Sequence, residues 1–165
     1  MFSSFLKFKG LRWMFLLLLF VLIAPNVCGQ ATSKQERSVS TDKSHFSEYK
    51  GVKIGTPLAE ARQKLGKPEE ENKVQESFAI SETENVRIFY DDTEKVNAIL
   101  ITYIGKTSGA PPPEQIIGEK IAANADGSMY KMVQYPKAGF WVAYSRTPGD
   151  DPLTMITIQK MPTEK

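Results

Sequence analysis

The sequence predicts an α+β domain: a single antiparallel sheet of about six strands with one short helix on one face. Three observations carry this. The segment 56–66 repeats apolar residues at helical spacing between a capping threonine and a glycine. Six later segments alternate with a period of two, and the turn-rich separators between most of them are short enough to make neighbours antiparallel. The chain has 165 residues, 41% hydrophobic and 24% charged, which suits one core in one domain.

The N-terminus reads as an export signal. Lys7, Lys9 and Arg12 are its only charges, and twelve uninterrupted apolar residues follow over 13–24. A spanning helix needs about 20 apolar residues, whereas twelve is the length of a signal's apolar core. Pro25 and Asn26 break the run. Val27 and Gly29 suit the −3 and −1 positions of a cleavage site, which places the cut between Gly29 and Gln30, with a cut after Ala31 as the alternative. The chain then divides into a signal peptide over 1–29, a flexible polar tether over 30–48 and a folded domain over 49–165. Cys28 is the only cysteine. Acylation there is disfavoured, because Pro25 and Val27 stand where a lipid-attachment signal has Leu and a small residue. The expected product is periplasmic or secreted, without a stable membrane span once the signal is removed. It has 18 basic and 19 acidic residues, a net charge of −1. Their interspersion leaves no electrostatic footprint for a nucleic acid.

The helix is the sharpest local signal. Thr56 is a capping residue and Pro57 falls at the first helical position, where a missing N–H costs nothing. Leu58, Ala61 and Leu65 share a face; Gly66 ends the helix and Pro68 blocks its continuation. Strands are expected at 75–81, 86–91, 96–104, about 128–135, 139–146 and 153–161. Residues 105–115 hold Pro111, Pro112 and Pro113, a stiff connector. Asp126-Gly127 is a hairpin dipeptide that would pair 119–125 with the following strand. An imperfect internal duplication is a candidate: Ile54–Ala59 lies over Ile117–Ala122, and Ile101-Thr102 over Ile156-Thr157, at differing offsets.

The run Ile54-Gly55-Thr56-Pro57-Leu58-x-Glu60-Ala61-x-x-x-Leu65-Gly66-x-Pro68, followed by antiparallel strands behind an export signal, resembles the SmpA/OmlA-type small outer-membrane assembly lipoproteins. It is also similar to the wider group with the fold of β-lactamase inhibitory protein. The resemblance covers residues 51–104. It implies a helical layer on one face of an antiparallel sheet, with the opposite face binding another protein.

Catalytic chemistry finds little support. The single His45 lies in the expected tether, and no Gly-x-Ser-x-Gly elbow, phosphate loop or dinucleotide fingerprint occurs. The acidic pairs Asp91/Asp92 and Asp150/Asp151 sit in turns, where Asp is favoured for local hydrogen bonding. Asp91, Asp92 and Glu94 lack the repeated ligands of a dedicated calcium loop. No catalytic residue, metal ligand or cofactor is therefore assigned. What remains is aromatic residues on strands. Alternation puts Arg87 and Phe89 on one face and Val86, Ile88 and Tyr90 on the other, and it separates Trp141 from Phe140, Val142 and Tyr144. Arg87, Phe89 and Trp141 are the candidate partner-binding residues; the alternative buries Trp141 under the loop 109–113. The expected function is a non-catalytic exported binding or assembly module of the cell envelope with another envelope or secreted protein as partner. The alternative is a small-ligand or cell-wall binder using an aromatic groove.

Overall fold

The computed structural model describes residues 36–40 and 43–162. The export signal, its cleavage site and Cys28 lie outside the described residues. Strands dominate: β1 (Glu36–Val39), β2 (Glu48–Tyr49), β3 (Val52–Lys53), β4 (Glu70–Glu71), β5 (Gln75–Ser81), β6 (Glu84–Tyr90), β7 (Val96–Ile104), β8 (Met129–Tyr135), β9 (Phe140–Arg146) and β10 (Leu153–Lys160). Two short helices interrupt them, α1 (Leu58–Leu65) and α2 (Pro113–Ile117).

The single six-stranded antiparallel sheet is not what forms. An eight-stranded mixed sheet runs β1-β8-β9-β10-β7-β6-β5-β4, and β2-β3 is a separate hairpin. The six strands read from alternation are present as β5 to β10, antiparallel wherever they pair with one another. The additions lie at the edges. Glu36–Val39 pairs in parallel with β8, inside the segment expected to be a tether. Glu70–Glu71 pairs with Ser77 and Glu76 of β5. An edge strand of two to four residues, polar apart from the exposed Val39, needs no buried face, so it leaves no period-two apolar signal to read. The β2-β3 hairpin is equally short; it turns through Lys50 (φ 47°) and Gly51 (φ 80°), the paired positive angles of a tight hairpin turn.

The proposed duplication also fails residue by residue. Ile54–Ala59 runs into α1, whereas its supposed counterpart Ile117–Ala122 starts at the last residue of α2 and continues as irregular chain. Residues 119–125 form no strand either; the Asn124 amide donates to the Ser128 carbonyl at 2.8 Å across a tight turn.

One face of the large sheet is covered. Val86, Ile88, Ile99, Ile101, Val142, Ile156 and Ile158 project into a core closed from above by Tyr49, Val52, Ala61, Ile116 and Ile117. Both helices and the small hairpin therefore sit on this side. The inward centre of α1 is Ala61, with Leu58 and Leu65 partly buried beside it. Its start differs from expectation: Pro57 is the N-cap, and the buried Thr56 hydroxyl accepts a hydrogen bond from the Lys53 amide at 3.0 Å. The Leu58 amide donates to Glu94 O and the Val96 amide to Thr56 O, each at 2.9 Å, which ties the head of α1 to the start of β7. Gly66 (φ 93°) ends the helix, its amide donating to Arg62 O. Among the described residues no helix is long and apolar enough to cross a membrane.

Candidate functional site

The uncovered face is built by strict alternation. In each of the six long strands the residues between the core positions project away from the helices. Cross-strand register then lines them up in rows. One row reads Phe89 on β6, Ala98 on β7, Gln159 on β10, Trp141 on β9 and Gln134 on β8. Phe89 and Trp141 are thus three strands apart in one row, about 14 Å at the usual strand spacing. The adjacent row reads Arg87, Leu100, Thr157, Ala143 and Met132. Small residues between large ones make a shallow, largely apolar floor crossed on β10 by Gln159 and Thr157: Ala98 and Ala143 are buried between neighbours, while Phe89 and Trp141 are half-buried.

All three residues singled out in the sequence therefore share this face. Trp141 is out of step with the buried Phe140 and Val142. The loop 109–113 lies elsewhere, lining a cavity of about 240 Å³ with Met129, Tyr144 and Thr154. That volume falls below the roughly 300 Å³ at which ligand pockets begin.

Arg87 is the only charged side chain that the six long strands place on the open face. Its Nε is buried and has no hydrogen-bond partner among the described residues. The polar side chains nearest in register are engaged with each other: Ser77 Oγ donates to Asn85 Oδ1 at 3.3 Å. The nearest acid in the same row is Glu70 on the edge strand β4, beyond Ser77, and it forms no ion pair with Arg87.

On the covered face, alternation did not single out two carboxylate clusters. Glu76, 1% exposed, accepts hydrogen bonds from Arg62 Nε at 2.7 Å, from Arg62 Nη2 and from Tyr90 Oη at 2.8 Å. Arg62 Nη2 also reaches Glu71 at 2.6 Å. Hydrogen bonding to Glu76 raises the Arg62 pKa. Burial, then Glu76, pushes the Tyr90 hydroxyl well above its ordinary value. Glu84 accepts from Tyr49 Oη at 2.7 Å and faces Tyr103 across the β6–β7 register. Both phenols are held protonated far above the usual range, by burial first and by Glu84 second. Glu76 is sealed from solvent and saturated by donors, so it clasps α1 to the sheet and offers a substrate no approach. The only sequence trace is an acid at an inward-facing strand position.

The remaining candidates resolve into turns. Asp91 Oδ1 accepts from the Thr93 amide, the Thr93 hydroxyl and the Lys95 amide, and these bonds, the Thr93 hydroxyl first, lower its pKa. Asp126 holds Ser128 in the same way. Asp150 pairs with Lys106 at 2.6 Å. His45 is exposed, its ring close over Gly118. Among the described residues no group of three or more His, Cys, Asp or Glu is placed to hold a metal ion. A cavity of about 390 Å³ lies beside the β8–β9 hairpin, lined by Ser40, Lys43, Ser44, Ser47, Tyr135 and Phe140.

Compared with protein-family models, with curated proteins and with solved structures, the chain matches none of them.

Proposed function

We propose that this chain is a non-catalytic binding module exported to the cell envelope, and that it holds a protein partner on the open face of the sheet through Arg87, Phe89 and Trp141. The observation that carries this reading is the shared row of Phe89 and Trp141 beside Arg87, on a face that no described helix covers. A sheet with one face packed leaves the other to water or to a partner, and Trp and Arg are the residues most enriched at interface hot spots. The likeness of residues 51–104 to the SmpA/OmlA-type lipoproteins points the same way. The test is capture from envelope extract with the wild-type protein and with Trp141→Ala, followed by mass-spectrometric identification and a binding titration with the purified partner. A partner that binds both equally well ends this reading.

A small-ligand or cell-wall binder is the second reading, favoured by the cavity beside Tyr135 and Phe140. Its volume lies within the usual ligand range of about 300–1,000 Å³. Cell-wall fragments that raise the melting temperature of the wild type but not of Lys43→Ala would select it.

A further inference from the structure

We infer that the occupant of the open face is an acidic polypeptide segment, which sets a carboxylate on Arg87 and lays apolar side chains across the floor between Phe89 and Trp141. The inference rests on the reading of this face as a protein-binding surface and names the chemistry of its partner.

Arg87 carries an unmet demand. A buried polar hydrogen without an acceptor costs free energy, and in a native fold each such group calls for an explanation. The Arg87 Nε–H is such a group. Its neighbours in register do not serve it: Leu100 is apolar, and Ser77 Oγ, which donates to Asn85, accepts nothing from Arg87. A guanidinium presents its donors as a planar fork, and the ligand that matches this fork is a carboxylate or a phosphate. The surroundings select between sources. Leu100, Ala98 and Ala143 with two aromatics, interrupted on β10 by Gln159 and Thr157, make a largely apolar strip that a peptide's side chains and backbone can fill, whereas a free anion would leave the strip wet.

Charge also disfavours two other occupants. A second copy of this chain would bring another Arg87 to the interface, and the acid in its row, Glu70, lies two strands away on the edge strand β4 rather than at the centre of the face. An anionic membrane surface rewards several cations and protruding apolar groups. Here Arg87 is joined in its row only by Arg37 on the far edge strand β1, and the aromatics are half-buried. A carboxylate on an otherwise apolar segment satisfies both the cation and the strip.

The test uses a library of random twelve-residue peptides displayed on phage and selected against the full protein. Recovered peptides are then titrated against the wild type, Arg87→Lys, Arg87→Gln, Arg87→Glu and Trp141→Ala. The expected peptides combine Asp or Glu with neighbouring aromatic or aliphatic residues. Trp141→Ala and Arg87→Gln each weaken them by about tenfold or more, since removing one partner of a desolvated charge pair is costly. Arg87→Lys retains part of the affinity, and Arg87→Glu prefers peptides whose acids are replaced by Lys. Peptides that need Trp141 but bind Arg87→Gln unchanged overturn the acidic chemistry and leave the binding face standing. Peptides indifferent to Trp141, or no recovered peptide at all, overturn the face as well. Arg87-dependent binding to phosphatidylglycerol vesicles without peptide binding, or an Arg87-dependent dimer in sedimentation, overturns the inference in favour of a membrane or a second copy.

Discussion

Tyr90 donates its hydroxyl hydrogen bond to Glu76 at 2.8 Å, and the same carboxylate receives the Arg62 guanidinium from α1. The link joins three parts of the chain: the helix, the strand β5 that carries Glu76 and the end of β6 that carries Tyr90. A carboxylate that is 1% exposed is tolerable only because each of its neighbours is a donor. The clasp therefore fixes where α1 lies, and through α1 which face of the sheet is closed.

Removing the acceptor is the first test. Glu76→Ala leaves the Tyr90 hydroxyl buried without a partner, at a cost of about 1–3 kcal/mol. Adding Tyr90→Phe removes the orphaned hydroxyl, so the double variant is expected to recover part of that loss. Urea midpoints at fixed pH check both; a double variant as unstable as the sum of the singles denies the coupling.

Alkaline stability follows from the tyrosines. Burial raises the pKa of Tyr49, Tyr90, Tyr103, Tyr135 and Tyr144 above the ordinary value of 10.0. Above that value the unfolded chain releases phenolic protons that the folded chain keeps. Their contribution is thus fully present below pH 10 and is lost as pH climbs through the raised folded values. In a Tyr130→Phe background, which leaves only these five tyrosines, phenolate absorbance near 295 nm is expected to rise in one cooperative step that coincides with loss of the circular-dichroism signal. A gradual rise that precedes unfolding contradicts the burial.

Trp141 separates surface from core. It projects from the open face, so Trp141→Ala is expected to cost only about 1 kcal/mol. A core tryptophan costs about 3–5 kcal/mol on the same truncation. Thermal unfolding of the two proteins, in a background where Trp13 is replaced by Phe, decides it, and acrylamide quenching of the remaining tryptophan checks the same point independently.

Gly118 reports on the segment before the hairpin. It adopts φ 88°, and a Cβ there would stand 2.5 Å from the His45 ring. Gly118→Ala combines a strained left-handed residue, about 1–2 kcal/mol, with displacement of the ring. Adding His45→Ala is expected to restore the part due to the ring. Equal midpoints for the single and the double variant would mean that residues 43–47 do not pack as described.

Local pattern was legible in the residues alone. Alternation located six strands, because a half-buried strand must repeat its apolar residues every second position. Pro57 and Gly66 bracketed α1, because backbone geometry at helix ends tolerates few alternatives. Parity assigned Arg87, Phe89 and Trp141 to the non-core side of their own strands. Tertiary structure alone decided what depends on partners far along the chain. Alternation says which side a residue faces and nothing about which strand lies beside it, so the row from Phe89 to Trp141 exists only once β7 and β10 meet at the sheet centre. The edge strands β1 and β4 and the hairpin β2-β3 were invisible, because two to four residues hold no period. Glu76 reads only as an acid at an inward-facing position, with no visible partner, until Arg62 and Tyr90, each 14 residues away, close over it. The unpaired Arg87 was equally unreadable, because whether an arginine has a partner is a property of distances in space, which local pattern does not encode.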